Sequence, residues 1–268
     1  MKSSSLKILI IYVLLLSSCS LPEQENSLYL TQVFEYVYGV GQHVSLATDG
    51  VEELLVGVSH SYVVLGGWGG YIVAGFDHDV INTTGMYDFG IYTQEGTGDE
   101  PAVIFVMQDE NNNNLPDDSW YEIKGSETDR DGYERNATIT YYKPENLDDN
   151  IRYRLSNEST VHELVNGSGT TGSWWWPYYD SINADEHHAI TTGVDSNGSF
   201  ITFQGTLLPP SKEYKDGQWK DIPDIFTYGY GENYSGLDCQ SIPYGRTTRR
   251  ANLFNIEDAI DEEGQSVT

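Results

Sequence analysis

Short β-forming segments, each interrupted after roughly five to seven residues, constrain the fold of this chain more than any other feature. Tyr, Val, Ile and Phe are concentrated in these segments, and turn-forming residues separate them; the 268 residues include 20 Tyr and 27 Gly. Aromatic and β-branched residues favour strands, whereas Gly, Asn and Asp favour the turns between them. Many short strands with frequent turn signals predict an all-β fold, either a sandwich or a barrel.

The strand candidates share this composition and lie at residues 28–38, 61–65, 71–76, 87–92, 102–107, 120–124, 137–142 and 199–204. In 199–204 the side chains alternate in the manner of a half-buried strand. Residues 102–107 are apolar throughout, so we expect them to form the core strand in the middle of a sheet, with both faces covered. One short helix is predicted where Asp49 and Glu52 form a capping box.

The first 18 residues are typical of an export signal, because Lys2 and Lys7 are followed by about ten apolar residues. A helix needs roughly twenty apolar residues to cross a bilayer, so this stretch is too short to span one. It ends in Leu16-Ser17-Ser18-Cys19, which resembles the bacterial lipobox. We expect residues 1–18 to be removed and Cys19 to carry lipid, including palmitate, that anchors the chain. The alternative is an ordinary secretory signal with an incidental Cys.

Residues 19–27 are predicted to form a polar, acidic tether between the lipid and one domain over residues 28–268. The tether looks like the stretch that directs Bacteroidetes lipoproteins to the outer face of the outer membrane, so we expect the domain to face the cell exterior. Cys239 is the only other Cys. Once Cys19 carries lipid, the chain has no second thiol for an internal disulfide, and the core must supply the stability.

The chain is strongly acidic: its formal charge is −27, and removal of Lys2 and Lys7 with the signal makes it −29. We do not expect nucleic acid as a partner, because phosphate binding needs clustered Lys and Arg. One basic cluster exists, Arg246, Arg249 and Arg250, and we interpret it as a solvated loop. A strongly acidic surface also suits the binding of cations.

A run of Asp and Asn at residues 109–118 predicts a calcium loop. Hard oxygen ligands recur at alternate positions, which is the spacing of an EF-hand loop, and Asn114 stands where that loop has Gly. The usual Glu at position 12 is missing, and Asp118 and Glu122 are the candidates to replace it. An Asn-rich hairpin turn without metal is the alternative. The expected Ca²⁺ ligands are Asp109, Asn111, Asn113, the Leu115 carbonyl, Asp117 and Asp118.

An aromatic run in a Gly- and Ser-rich setting predicts a ligand-binding surface. Three consecutive Trp cannot all point inward from a strand, so we expect at least one ring to be exposed and able to stack on a sugar or a corrinoid ring. A core role for these aromatic residues is the equally favoured alternative. The expected ligand-binding residues are Trp174, Trp175, Trp176, Tyr178 and Tyr179.

Catalytic signals are weak. The sequence contains no Gly-x-Ser-x-Gly nucleophile motif, no Gly-rich phosphate loop and no His-Glu-x-x-His zinc motif. Carboxylates are so numerous that no particular pair is indicated for glycoside hydrolysis. We therefore expect a binding protein without catalytic residues, and a glycoside hydrolase is the weakest of the hypotheses.

Several segments, read together, resemble one family. The most specific are Gly-Gly-Trp-Gly-Gly-Tyr at 66–71 and the loop at 109–118 with Trp-Tyr-Glu at 120–122; others lie at 33–37, 75–78, 87–89 and 205–209. They resemble Bacteroidetes cell-surface lipoproteins often encoded beside TonB-dependent cobamide (vitamin B12) receptors, over about residues 33–264. The resemblance implies a jelly-roll-like β-sandwich that binds a nutrient for uptake, with a cobamide as one expected ligand. A glycan-binding surface module is the alternative.

The C-terminus departs from this resemblance. In such proteins the acidic turn at 261–264 leads into a final strand, whereas this sequence stops at Thr268. We therefore expect the closing strand of the sandwich to be missing.

Overall fold

The chain folds almost entirely into β-strands, as predicted. The structure, a computed structural model, describes residues 27–44, 50, 52–58, 62–93, 100–146, 149–164, 175–177, 193–194 and 199–268. Every strand pair in these ranges is antiparallel. The all-β prediction is confirmed, and the several antiparallel sheets are consistent with a sandwich-like fold.

The strands are β1 Gln32–Val37, β2 Tyr71–Gly75, β3 Phe89–Tyr92, β4 Ala102–Val103, β5 Phe105–Met107, β6 Trp120–Ile123, β7 Glu134–Tyr142, β8 Ile151–Leu155, β9 His162–Leu164, β10 Gly193–Val194, β11 Phe200–Leu207, β12 Lys212–Lys215, β13 Gln218–Asp221, β14 Tyr230–Gly231, β15 Cys239–Tyr244, β16 Thr247–Phe254 and β17 Ala259–Ile260. The largest sheet has the order β10-β11-β7-β8-β9. Two three-stranded sheets have the orders β15-β16-β3 and β17-β6-β5, and three strand pairs, β1-β2, β12-β13 and β14-β4, form separate two-stranded sheets.

The main core lies between the five-stranded sheet and the β1-β2 ribbon. Ile139 of β7 lies opposite Phe203 of β11, and Tyr141 lies opposite Ile201. These four side chains are at most 4% exposed, and Val37 and Val73 of the ribbon belong to the same buried cluster. The expected alternation of β11 is confirmed, because Ile201 and Phe203 point inward while their neighbours are less buried.

The apolar run at 102–107 is not the central strand that its composition predicts. It is divided into β4 and β5, which belong to different sheets, and β5 lies at a sheet edge. All six residues are half-buried. The division falls at Ile104, whose carbonyl accepts a hydrogen bond from the Ile123 amide at 2.8 Å. Apolar composition alone does not distinguish a covered central strand from two short edge strands, and the prediction was wrong on this point.

A glycine crossing, formed by residues 39–41 and 66–70, joins the ribbon to the rest of the fold. The amide of Gly39 donates to the Leu65 carbonyl at 2.7 Å, and the amide of Gly67 donates to Val40 at 2.9 Å. A Cβ at Gly70 would overlap the Leu65 oxygen. The two backbones therefore touch without side chains between them, which only Gly permits.

Trp68 holds the glycine crossing against the five-stranded sheet. Its indole Nε1 donates to the Thr206 carbonyl at 2.7 Å, and its own carbonyl accepts a hydrogen bond from the Tyr141 hydroxyl at 3.0 Å. The Gly-Gly-Trp-Gly-Gly motif, which is central to the resemblance, thus has a structural explanation.

Two short 3₁₀ turns lie wholly within the described ranges. Glu52–Leu55 coincides with the predicted short helix, although its expected cap, Asp49, lies outside the described residues. The second turn, Ile256–Asp258, leads into β17, which pairs with β6. After β17 the chain turns back, so that Ser266 forms a bridge with Ile260.

Candidate functional site

The start of the domain is fixed against the loop that follows β2. The amide of Ser27 donates to the Asp77 carboxylate at 3.2 Å, and the amide of Thr31 donates to the Gly75 carbonyl at 3.0 Å. The predicted lipidation residue, Cys19, and the tether before Ser27 lie outside the described residues. No helix in the described ranges has the length and hydrophobicity needed to cross a membrane.

The predicted calcium loop connects β5 to β6 and is stabilised from within by carboxylates. The two oxygens of Asp109 accept hydrogen bonds from the amides of Asn113 and Asn114 at 3.1 and 2.8 Å. Asp118 accepts the Glu110 amide at 3.1 Å, and Asn113 Oδ1 accepts the Leu115 amide at 2.8 Å. These bonds hold the loop in one conformation.

Three of the expected Ca²⁺ ligands, Asn111, Asn113 and Asp117, lie close together. The side-chain nitrogen Nδ2 of Asn113 lies 3.0 Å from an oxygen of Asp117, and Nδ2 of Asn111 lies 3.4 Å from the same carboxylate. Asn114, which stands where an EF-hand loop has Gly, has a φ of 59°, in the left-handed region that Gly adopts readily. Asn112 also has a positive φ, of 58°. Asn adopts this conformation more readily than other non-Gly residues.

The loop offers mainly amide and carboxylate oxygens, which are the ligands that Ca²⁺ takes. Over the described ranges, no group of three or more His, Cys, Asp or Glu side chains is placed to hold a metal ion. Any cation in this loop would therefore depend on Asn and backbone oxygens as much as on carboxylates. The Ca²⁺ assignment stays a prediction.

Two members of the predicted aromatic surface face the core. Trp176 is 5% exposed and belongs to the main core cluster, and Trp175 is half-buried against the same cluster. The Trp175 carbonyl accepts the Gly41 amide at 2.9 Å, which ties this segment to the glycine crossing. Burial leaves the Trp176 ring no face for stacking on a ligand, so for this residue the core interpretation holds. Trp174, Tyr178 and Tyr179 lie outside the described residues.

A buried carboxylate, Glu127, has a role that the sequence did not indicate. The residue is 1% exposed, and its oxygens accept hydrogen bonds from the Phe226 amide and from Arg130, both at 2.9 Å. Phe226 has a φ of 52°, a rare conformation for a bulky residue that costs about 1 to 3 kcal/mol. Glu127 thus stabilises a strained backbone, and no spacing motif in the sequence could have revealed it.

A second buried carboxylate, Glu122, lies on β6 and is 6% exposed. The hydroxyls of Tyr133 and Thr206 donate to its two oxygens. Burial, together with the Glu122 carboxylate, raises the pKa of Tyr133. The sequence offers Glu122 as a substitute Ca²⁺ ligand, but both of its oxygens are engaged in bonds that join β6 to β11 and to Tyr133, the residue before β7.

The basic cluster lies on a β-hairpin formed by β15 and β16, and its arginines differ in their surroundings. Arg250 donates to the carbonyls of Cys239 and Tyr234 at 2.9 and 3.4 Å. Arg249, on the other face of β16, has its guanidinium carbon 5.4 Å from the centre of the Tyr244 ring. The expected solvated loop is thus a strand pair, in which Arg250 is structural and Arg249 is half-buried.

Comparison with known proteins adds no assignment: no protein-family model matches the chain, and no curated protein matches it.

Proposed function

We propose that this chain is a lipoprotein anchored through Cys19 in the outer membrane, where its β-sandwich captures a small-molecule nutrient at the cell surface. The observation that carries the proposal is the lipobox, which ends at Cys19 and is followed by a short acidic tether that leads to a β domain. A signal, an anchor and an antiparallel β domain in this order suit a protein that binds a ligand outside the cell.

The ligand we propose is a cobamide, and the partner that receives it is a TonB-dependent outer-membrane receptor. Support comes from the resemblance, whose most specific segments are the glycine crossing and the loop at 109–118. The aromatic residues Trp174, Tyr178 and Tyr179 are the candidate ligand contacts, because the Trp175 carbonyl and the buried Trp176 ring fasten the middle of their segment to the core.

The ligand is tested by calorimetry on the exported form, residues 19–268, with Cys19→Ser to keep it soluble. We expect heat on addition of cobalamins, and Trp174→Ala with Tyr178→Ala is expected to abolish it. Tyr214→Ala is the matched control, because Tyr214 is a 64% exposed aromatic residue on the separate β12-β13 hairpin. No heat at high micromolar cobalamin would show that the cobamide assignment is wrong.

A glycan array distinguishes the alternative ligand class. The same aromatic rings can stack on sugars, so array binding that is lost in Trp174→Ala would assign the chain as a glycan-binding module. Trp175 and Trp176 are unsuitable for this test, because they pack against the core and their removal would also lower stability.

The anchor has its own test, which does not depend on the ligand. We expect labelled palmitate to enter the wild-type protein but not Cys19→Ala, and protease added to intact cells to digest the domain. Equal labelling of both proteins would show that Cys19 is not the lipidated residue. Resistance to protease on intact cells would place the domain on the periplasmic side.

A further inference from the structure

The point where the tether enters the domain lies beside the tip of the β15-β16 hairpin. The phenol oxygen of Tyr29, two residues after Ser27, accepts a hydrogen bond from the Gly245 amide at 2.8 Å. Val58 approaches the same residue, since a Cβ at Gly245 would lie 3.3 Å from Val58 Cγ1. We call this region, formed by residues 27–29, Val58 and the hairpin tip at 244–249, the entry pole.

The entry pole exposes apolar side chains. Leu28 is 87% exposed and Val58 is 49% exposed. Single exposed apolar residues are common, but these two flank the Tyr29–Gly245 contact, so they lie on one side of the domain. Tyr29 itself is half-buried, and Tyr is a residue that suits a boundary between water and lipid.

The entry pole also carries cations without carboxylate partners. Arg246 is exposed in the turn, and Arg249 is held over the Tyr244 ring. Neither forms a salt bridge with any residue that the structure describes. The chain has only 14 Lys and Arg against 41 Asp and Glu, so unpaired arginines on one pole create a local charge opposite to that of the whole molecule.

One acidic group at the tether entry, Asp77, is already paired. Asp77, which accepts the Ser27 amide, also lies 2.8 Å from the His78 ring. The His78 hydrogen bond is the main cause that lowers the pKa of Asp77. Asp77 therefore has its own local partner in His78.

The tether keeps the entry pole close to the lipid. Ser27 is eight steps along the chain from Cys19, and an extended chain spans at most about 3.6 Å per residue. Ser27 can therefore be no more than about 29 Å from the acylated Cys. Of the domain's surface, the entry pole is the part that this short tether keeps nearest to the membrane.

We propose that the entry pole docks on the membrane surface, with Arg246 and Arg249 on anionic lipid headgroups and Leu28 and Val58 at the edge of the acyl region. This inference rests on the proposed lipid anchor at Cys19. Arg binds phosphate oxygens in bidentate fashion, and cationic side chains strengthen the attachment of a lipidated chain to an anionic surface. Docking sets the orientation of the domain and turns its opposite side toward the medium.

The test uses residues 19–268 coupled chemically to a maleimide lipid through Cys19; Cys239 is 7% exposed and is protected from the reagent. Hydrogen exchange of the hairpin tip is compared in phosphatidylcholine vesicles with and without about one third phosphatidylglycerol. We expect slower exchange at 244–249 in the anionic vesicles. Each arginine at an anionic surface contributes about fivefold to the ratio of docked to free domain, so Arg246→Gln with Arg249→Gln is expected to lower it about thirtyfold.

Arg152→Gln is the matched control, because Arg152 is also an exposed arginine near an aromatic ring, 6.0 Å from the centre of Tyr142. It is expected to leave the exchange unchanged. Equal exchange in neutral and anionic vesicles, or equal exchange in the double variant, would overturn the proposal. Protection of the tip by a soluble sulfated sugar without vesicles, at the same level, would instead assign the arginines to a ligand site and also overturn it.

Chemical coupling separates this inference from the proposed function. The vesicle measurement remains interpretable if palmitate does not label Cys19 in cells, because the maleimide supplies the anchor. A negative result in vesicles together with palmitate labelling would reject the docking surface alone.

Discussion

Gly70 shows most directly how a single residue determines the fold. Its φ is not in the left-handed region, yet a Cβ there would overlap the Leu65 carbonyl oxygen and would lie 2.7 Å from the Gly39 amide nitrogen. We expect Gly70→Ala to lower the free energy of unfolding by about 3 kcal/mol or more, because backbone atoms on both sides must move. Urea unfolding of the exported form measures the change.

The control for this prediction is Gly85→Ala. Gly85 has a φ of 70° but nothing within 4 Å of an added Cβ. Its substitution costs only the left-handed backbone strain of about 1 to 2 kcal/mol. If both substitutions cost the same, steric contact at the glycine crossing does not contribute to stability.

Glu127 is a single residue whose buried charge contributes to stability. Glu127→Ala removes the acceptor of the Phe226 amide and leaves Arg130 without its partner. We expect a loss of about 2 to 3 kcal/mol, less than for a fully buried pair because Arg130 is 39% exposed and its charge is screened by solvent. Chemical denaturation at neutral pH measures it.

Asp129, two residues further on, provides the comparison for Glu127. Its side chain is 81% exposed, and its oxygen lies 3.5 Å from Lys124. Asp129→Ala is expected to change stability by less than about 1 kcal/mol, as exposed ion pairs usually do. A loss at Asp129 as large as that at Glu127 would contradict the stabilising role given to the buried carboxylate.

Among the elements, the loop between β5 and β6 gives the sharpest prediction. If residues 109–118 bind Ca²⁺, millimolar Ca²⁺ is expected to raise the melting temperature relative to EDTA, because a ligand of the folded state stabilises it by mass action. A hundredfold excess over Kd corresponds to about 2.7 kcal/mol, which is several degrees for a domain of this size. Mg²⁺ is expected to do less.

The variant Asp109→Ala with Asp117→Ala is expected to remove this shift, whereas Asp216→Ala, in the exposed β12-β13 turn, is expected to keep it. An unchanged melting curve of the wild-type domain in millimolar Ca²⁺ would leave the loop as a turn held by its own Asp and Asn side chains. The bonds of Asp109 to the amides of Asn113 and Asn114 are sufficient for that role.

Elements with a local signal were predictable from the sequence, and elements defined by distant contacts were not. Alternation identified β11, and Asn114 indicated the left-handed turn position. The division of 102–107 depends on a bond from Ile123 to Ile104, and the inward position of Trp176 depends on its contacts with the core. Neither contact leaves a periodic pattern in the sequence. Glu127 was missed for the same reason, since its partner Phe226 is 99 residues away.

The whole molecule is expected to lose stability above pH 10 because its core contains tyrosines that resist ionisation. Burial raises the pKa of Tyr141 and of Tyr230, and burial raises that of Tyr36 to about 12. In the unfolded chain these groups release their protons near pH 10. The contribution of these tyrosines to stability is therefore constant below pH 10 and falls as the pH rises above it, by up to about 1.4 kcal/mol per pH unit for the fully buried Tyr141 and by less for the half-buried Tyr36.

Unfolding followed by circular dichroism between pH 8 and about pH 12 tests this slope, within the pH range set by these pKa values. Tyr141→Phe is expected to reduce the slope by the contribution of one proton. Tyr214→Phe, at a 64% exposed position, is expected to leave the slope as it is. A slope that is identical in Tyr141→Phe and the wild type would show that Tyr141 ionises in the folded chain as it does in the unfolded one.

The glycine crossing limits what a similar sequence can indicate about the ligand of another protein. Where two backbones touch, substitution is blocked by geometry, whatever the protein binds, so such a motif persists through divergence while nearby loops drift. A shared Gly-Gly-Trp-Gly-Gly segment then indicates a shared contact between ribbon and sheet, and not a shared ligand. Ligand specificity has to be inferred from side chains outside the glycine crossing, where substitution is not blocked by contact between backbones.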